Sequence, residues 1–409
     1  MDSKVKKYLI HIVLFIVTVI TTTLAGVEWM YGKFLLYGEE RTSWDDFLFG
    51  FQFSIPFLLI LTFHEFGHYF TARYHQIKTT LPYYLPLWFG FLALPSLGTM
   101  GAFIRIKSLI HSRKEYFDVG VSGPLAGFVI IIGVMIYGYR TLPPTEYIYE
   151  IHPEYEVFGE NFEERMEGLD TLILKADLNP ARQGYKLLSD TIHINDPNSP
   201  TVHFGDNIMM YLSRKYLAPD DRYIPSSKEL MHYPWLFAAY LALFFTALNL
   251  LPIGQLDGGH VIFSLFGEKQ SRWISRVVFT GFLFYAGLGW ITTDLLVDTS
   301  NGAVLSFVFG VLIYVYFLYL STTSMFPVRR DRFVFAGLMF TVQFLVYEIT
   351  SIEGYPGWIL FAFFLGRFLG VYHPKVSDNR PLNPVRKVIA WIAIIVFIIS
   401  FSPRPLIIA

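Results

Sequence analysis

Residues 47–74 read FLFGFQFSIPFLLILTFHEFGHYFTARY, and all the charged and imidazole side chains of this stretch lie in its second half. As a helix it is long enough to cross the roughly 30 Å of hydrocarbon in a bilayer. His64 and His68 are four residues apart, so both imidazoles project from one helix face and can bind one metal ion. Glu65 follows the first histidine and can act as general base on a metal-activated water. The stretch therefore predicts a membrane-spanning helix that carries a metal site.

Three ionisable groups within five residues of a spanning helix need a physical reason. Each of them costs about 2.5 kcal/mol or more at the centre of a bilayer unless it faces a partner or a cavity. A catalytic metal site is the interpretation that we favour for His64, Glu65 and His68. The alternatives are a buried polar cluster that holds a neighbouring helix, and a transport site that relays protons or carries a metal ion.

The composition indicates that lipid surrounds much of the chain. Of its 409 residues, 53% are hydrophobic and only 16% are charged, whereas roughly 25% are charged in ordinary soluble domains. The formal net charge of -1 leaves no basic excess for a nucleic-acid backbone, so we expect no nucleic-acid partner. Because the chain has no cysteine, the metal ligands to look for are histidine, aspartate and glutamate.

The apolar runs predict an all-α polytopic membrane protein with eight or nine transmembrane helices. The runs of sufficient length are 8–28, 47–74, 117–139, 233–252, 273–295, 302–321, 331–350, 355–371 and 387–401. The first run is interpreted as a retained span, with a cleaved leader as the alternative. The last two runs are short enough to be tilted together or partly re-entrant.

Loop charges predict how the chain is oriented in its membrane. Positively charged loops stay cytoplasmic, so the lysines at positions 4, 6 and 7 place the N-terminus on that side. Segment 141–232 contains 16 acidic and 8 basic residues, which predicts a soluble insertion on the external or luminal side. Within it, Asp206 to Leu217 has the pattern of an amphipathic helix. With nine spans, the basic loops all fall on the cytoplasmic side and the acidic loops all fall on the opposite side.

A catalytic zinc ion needs a third protein ligand and one open position. Asp257 is the candidate, within the sequence NLLPIGQLDGGH at residues 249–260. Its span and that of His64 both run inward, so the two residues are expected to form an active site nearer the cytoplasmic side. The alternative role for Asp257 is a cap of the helix over 258–266. His260 is expected to support the ligands rather than to be one of them.

Three separated blocks of sequence resemble the site-2 protease family of intramembrane zinc metalloproteases. The blocks are HEFGH at residues 64–68, GTMGA at 98–102 with SGPLAG at 122–127, and NLLP at 249–252 with the Asp-Gly pair at 257–258. Their order and spacing fit over about residues 47–265. The resemblance implies Zn²⁺ ligation by His64, His68 and Asp257. It also implies Glu65 as the base, and Asn249 as a residue that holds the substrate or the tetrahedral intermediate. On its own sequence, Asn249 could equally form a hydrogen bond between helices.

The second of these blocks is rich in glycine. Residues 98–106, GTMGAFIRI, are too rich in glycine to begin a helix and predict a short strand or hairpin at membrane depth. In the resembled family such an element lies beside the active site, where its edge can pair with an extended substrate. An ordinary cytoplasmic loop is the alternative. Gly123 and Gly127 are expected to permit close packing of helices.

The resemblance implies an intramembrane zinc metalloprotease that hydrolyses peptide bonds of single-span membrane proteins, as in regulated intramembrane proteolysis. Its partners are then the substrate and the lipid bilayer. The alternative is a membrane transporter or channel that uses the same His/Glu/Asp cluster, although the sequence contains no visible internal repeat of the kind transporters favour. A catalytically silent binding protein is disfavoured because the full set of four site residues is intact.

The expected organisation has five parts. They are 1–46 (first transmembrane helix and external loop), 47–140 (first part of the catalytic core), 141–232 (insertion), 233–266 (second part of the core) and 267–409 (C-terminal transmembrane bundle). Many members of the resembled family carry a PDZ domain at the place of the insertion, but no convincing PDZ pattern is found in this one. The C-terminal bundle is expected to shield the site, gate it or bind a partner.

Overall fold

The structure is a computed structural model. It describes residues 3–38, 40–153, 155–156, 162, 171–173, 191–193, 202–219, 222–293 and 301–408. Most of the predicted insertion between 157 and 201, and the last two residues of the predicted span 273–295, lie outside the described residues.

Helices dominate the described residues, and each of the nine predicted apolar runs contains one. In chain order they are α1 (Ser3–Tyr31), α2 (Trp44–Tyr74), α3 (Arg113–Arg140), α4 (Glu146–Ile151), α5 (Ile208–Leu217), α6 (Pro234–Asn249), α7 (Asp257–Phe266), α8 (Glu268–Gly287), α9 (Asn301–Ser321), α10 (Arg329–Thr350), α11 (Ile359–Phe364) and α12 (Pro384–Ser400). A π-helical turn, Leu365–Leu369, continues α11. The predicted mainly helical fold is confirmed. The amphipathic helix expected at 206–217 is α5, which begins after an Asn207 cap.

Five helices among the described residues are long and apolar enough to cross a membrane. They are Tyr8–Tyr31, Trp44–Tyr74, Arg113–Arg140, Gly302–Ser321 and Arg329–Thr350. Their lengths and compositions are those of a multi-pass membrane protein, but the predicted count of eight or nine spans is not confirmed. The 16 residues of α6 reach only about 24 Å, less than the roughly 30 Å of a hydrocarbon core. The first half of α8 carries four charged residues, which lowers its hydropathy.

Polar residues fix where α2 and α3 begin. The Ser43 hydroxyl accepts from the Asp46 amide, and the Asp46 carboxylate accepts in return from the Ser43 amide. Ser112 and Glu115 form the same reciprocal pair at α3. Each capping box satisfies backbone donors that a helix start leaves unpaired. Because α2 ends at Tyr74, the HEFGH motif at residues 64–68 starts about 15 Å before the helix end at 1.5 Å per residue.

The HEFGH motif of α2 lies in a bundle of apolar helices. α2 packs against α1, α3 and α6, and α7 packs against α3. Phe53, Ile131 and Phe237, from α2, α3 and α6, are fully buried in this bundle. Three helices, α1, α3 and α6, therefore pack around α2, and α7 joins them through α3.

Within the described residues, three two-stranded antiparallel sheets accompany the helices. They are β1 (Tyr83–Leu87) with β2 (Gly98–Phe103), β3 (Thr171–Ile173) with β4 (Thr191–His193), and β5 (Val202–Phe204) with β6 (Leu406–Ile408). β2 confirms the strand expected at 98–106. β1 was not expected from the sequence, since Pro86 within it is unfavourable for a strand. The Thr21 hydroxyl of α1 donates to the Gly98 carbonyl at 2.7 Å, so the hairpin lies on α1.

The C-terminal helices form a second bundle that contacts the first. Phe279, Leu318 and Ala362 are fully buried in its core, and α12 packs against α3, α6 and α7. Arg386 of α12 donates hydrogen bonds of 2.7 and 2.9 Å to the Asp118 carboxylate of α3. The C-terminal region therefore packs against α3 and α6, which contact α2, and against α7, which carries Asp257.

Candidate metal centre

The structure brings together the three predicted ligands. Nε2 of His64 lies 3.1 Å from Nε2 of His68. Oδ2 of Asp257 lies 3.5 Å from the first of these nitrogens and 3.3 Å from the second. The side chains are 8%, 10% and 17% exposed, in the same order. Two rings from α2 and one carboxylate from α7 thus converge within the helix bundle.

These three atoms fit a zinc ion. Tetrahedral zinc with bonds of about 2.0–2.1 Å separates its ligand atoms by about 3.3–3.4 Å. The observed separations of 3.1, 3.3 and 3.5 Å lie close to this value. Imidazole nitrogen and carboxylate oxygen are both ordinary zinc ligands, and three protein ligands leave one tetrahedral position open.

A backbone carbonyl orients one of the ligands. Nδ1 of His68 lies 2.7 Å from the Val119 carbonyl oxygen. A carbonyl can only accept, so Nδ1 carries the proton and Nε2 keeps its lone pair toward the cluster. The sequence analysis missed this contact with α3 because a backbone carbonyl has no side-chain signature.

Helix α7 presents Asp257 from its first turn. Leu256 is the N-cap of α7 without any side-chain capping bond, so the carboxylate of Asp257 faces the histidines instead of capping the helix.

α7 is joined to α3 by two reciprocal contacts. Arg113 Nη2 donates to the Ser264 carbonyl at 2.7 Å, and the Ser264 hydroxyl donates to the Arg113 carbonyl at 3.0 Å. These contacts fix α7, and with it Asp257, against α3, the helix whose Val119 carbonyl orients His68.

Glycines allow α2 and α3 to meet closely at the metal site. A Cβ added to Gly67 would lie 2.6 Å from the Ser122 carbonyl oxygen, well inside van der Waals contact. A Cβ on Gly127 would lie 3.3 Å from Cβ of His64. The close packing expected at Gly127 is therefore present.

A cavity of about 100 Å³ adjoins His64. Its lining includes His64, Glu65, Thr246 and Asn249, and Met100 to Ala102 of the hairpin. One water needs only about 10–15 Å³ of such space, so water fits beside His64. Glu65 is 5% exposed, and the backbone of Ile104, just after β2, is its hydrogen-bond partner.

Asn249 ends α6 inside this cavity. Its Nδ2 lies 3.5 Å from Nε2 of His64, at the outer limit of a hydrogen bond. The position is compatible with both predicted roles, contact with a substrate and contact between helices.

His260 lies beside the three ligand atoms rather than among them. Its Nδ1 is 2.9 Å from Nε2 of His373, whose Nδ1 in turn donates to the Pro374 carbonyl at 2.6 Å. Burial lowers the pKa of His373 to about 3, and the His260 ring acts in the same direction. His373 is thus neutral at pH 7 and accepts the proton of His260 Nδ1. The contacts of His260 are thus with His373 and Tyr116, and its support of the ligands stays a prediction.

Fold and site together define a polytopic membrane protein with a buried metal-ligand set of the HExxH type. Residues 52–288 match the sequence model of Peptidase family M50, and the chain belongs to this family. The resemblance to the site-2 protease family is confirmed.

Several curated relatives are named as zinc metalloproteases. "Probable zinc metalloprotease EGY2, chloroplastic" of Oryza sativa subsp. indica is 27% identical over 263 residues, which are 64% of this chain and 37% of the relative. "Probable zinc metalloprotease EGY1, chloroplastic" of Oryza sativa subsp. japonica is 27% identical over 52% of this chain and 27% of the relative. The EGY2 protein of Arabidopsis thaliana is 26% identical over 52% and 28%, respectively. The chain spans about a third of the length of these relatives. No solved structure gives a significant match.

Proposed function

We propose that this chain is an intramembrane zinc endopeptidase that hydrolyses peptide bonds of single-span membrane proteins. One observation carries the proposal. Two imidazole nitrogens and one carboxylate oxygen lie within 3.1–3.5 Å of one another, and the cavity that adjoins His64 is also lined by Glu65 and Asn249. Membership of family M50 and the names of the relatives support the same chemistry.

His64, His68 and Asp257 would hold the zinc ion. When bound at such a site, zinc polarises a carbonyl and lowers the pKa of a water to about 7. Glu65 lines the same cavity as His64 and would take the proton of the attacking water and pass it to the leaving nitrogen. The side-chain amide of Asn249 would donate a hydrogen bond to the substrate carbonyl.

A helical substrate must unwind before it can reach these groups, because its peptide bonds are hydrogen-bonded and sterically covered. The hairpin offers an extended template. Met100 to Ala102 of β2 line the cavity, and no strand other than β1 pairs with β2 in the described part of the chain. An unwound segment could add to the outer edge of β2 and present its scissile carbonyl to the site. Regulated intramembrane proteolysis is the process that this geometry suits.

The proposed orientation has the N-terminus in the cytoplasm, the active site nearer that side, and residues 141–232 on the external or luminal side. Lysine and arginine side chains cluster around the end of α2 and the start of α3, as cytoplasmic loops require. The pairing of β5 with β6 supports a C-terminus on the same side as the insertion.

The decisive experiment compares purified wild type with Glu65→Gln and Asp257→Ala, for bound zinc and for cleavage of a membrane-embedded peptide. Glu65→Gln should keep its zinc and lose cleavage, because the base is gone while the ligands remain. Asp257→Ala should lose both. Glu268→Gln, in the first turn of α8, is the matched control and should match wild type. Cleavage by Glu65→Gln at the wild-type rate would contradict the proposed chemistry, whereas zinc binding without any cleavage by wild type would favour the transport alternative.

A further inference from the structure

A second cluster of ligand-type side chains lies near the start of α6. His152 follows α4, while Glu229 and His232 precede α6. The two Nε2 atoms lie 3.2 Å apart. Oε2 of Glu229 lies 3.6 Å from Nε2 of His152 and 3.7 Å from Nε2 of His232. These separations approach the roughly 3.3–3.4 Å between ligand atoms of tetrahedral zinc.

Neighbouring groups orient two of these side chains, His232 and Glu229, as in metal sites. Nδ1 of His232 lies 2.6 Å from the Met30 carbonyl oxygen at the end of α1, so this nitrogen donates and Nε2 is left for a ligand. The Tyr155 hydroxyl donates to Oε1 of Glu229 at 2.8 Å. That bond leaves the other carboxylate oxygen directed at the two rings. In metal centres, the ring nitrogen or carboxylate oxygen that does not bind the metal is typically held by such a hydrogen bond.

The cluster is distinct from the centre formed by His64, His68 and Asp257. His232 lies just before α6, and Asp257 lies beyond its end. The 16 residues of α6 separate the two ends by about 24 Å. The side chains of Glu229 and His232 are 6% and 9% exposed, whereas that of His152 is 29% exposed, which gives an ion a route from solvent.

We propose that His152, Glu229 and His232 bind a second divalent transition-metal ion, zinc in the first place. The three ligands would leave one position for water. The ion would join the segment that follows α3 to the segment that precedes α6, and through the Met30 carbonyl to α1. It would thereby attach the insertion to the transmembrane helices without any role in peptide hydrolysis.

The test measures zinc in a background without the first centre. The full chain carrying His64→Ala and His68→Ala is purified with a tag that contains no histidine, equilibrated with micromolar free Zn²⁺ and analysed by mass spectrometry of metals. This background should retain about one zinc per chain, and wild type about two. Adding His152→Ala should remove the remaining zinc. His203→Ala, a partly buried histidine of β5 on the same side, is the matched control and should retain it. A background without zinc, or zinc retained after His152→Ala, overturns the proposal.

Thermal unfolding in detergent guards against a variant that merely misfolds. Without metal, the background and its His152→Ala derivative should unfold at the same temperature. Zinc should raise the unfolding temperature of the background by several degrees and leave the derivative unchanged, because a ligand stabilises only the state that binds it. An equal rise in both proteins contradicts the second site. Neither measurement depends on cleavage, so the outcome is independent of the proposed protease activity.

Discussion

Gly123 lies directly against the ring of His68. A Cβ on Gly123 would overlap Nε2, the nitrogen that faces the metal position, and would meet the adjacent ring carbons at 2.5 Å. The ring cannot retreat easily, since its Nδ1 is tied to the Val119 carbonyl of the same α3 helix. The absence of a side chain at Gly123 is therefore a requirement of the ligand geometry and not of the helix alone.

Gly123→Ala should displace the His68 ring and weaken zinc binding. Overpacking of a close contact costs about 1–3 kcal/mol, so we expect an affinity loss of roughly 5- to 100-fold and a parallel loss of cleavage. The measurement is zinc titration against a competing chelator. Gly133→Ala is the control, because a Cβ at Gly133 of the same helix meets no atom within 4 Å. Equal zinc affinities of the two variants would contradict this account.

Asn249→Ala should separate the two roles considered for Asn249. If the amide donates to the substrate carbonyl, kcat should fall about 10²-fold, as when one oxyanion-hole donor is removed, and bound zinc should be unchanged. If it only joins helices, the variant should lose stability and keep its kcat. Gln255→Ala is the control, since Gln255 contacts the Leu369 carbonyl outside the cavity.

The metal centre was largely predictable because its main element is local. Two histidines four residues apart share a helix face whatever surrounds them, so His64 and His68 could be paired from sequence. Asp257 required the further argument that two spans run in one direction. Oδ2 of Asp257 lies 3.5 Å from Nε2 of His64 and 3.3 Å from Nε2 of His68, which agrees with that argument.

Other features had no local signature. His152 and His232 are 80 residues apart, and no spacing rule connects them, so the second cluster emerged only from the tertiary structure. β1 was missed because Pro86 interrupts its pattern.

The number of membrane spans could not be fixed from hydropathy alone. Hydropathy identifies apolar helices, but 16 residues in α6 are apolar enough for a buried helix as well as for a short span.

Ser264→Ala should loosen α7 and thereby the third ligand. The Ser264 hydroxyl donates to the Arg113 carbonyl across to α3, and such a hydrogen bond contributes about 1 kcal/mol. We expect a zinc affinity up to roughly fivefold weaker, with cleavage restored at saturating zinc. Ser271→Ala is a matched buried-serine control, because its hydroxyl donates only to Glu268 within α8. A larger loss for Ser271→Ala would show that the contact with α3 does not position Asp257.

Met100→Gln should weaken substrate binding and spare the metal. Met100 projects from β2 with 65% of its surface exposed and lines the cavity beside Glu65. If an extended apolar segment pairs with β2, a substituted amide must lose water without gaining a partner, at a cost of about 1–3 kcal/mol. KM should therefore rise about tenfold while kcat and bound zinc stay constant. Met100→Leu keeps the apolar surface and should keep the wild-type KM. An unchanged KM for Met100→Gln would mean that the substrate reaches the site along another wall of the cavity.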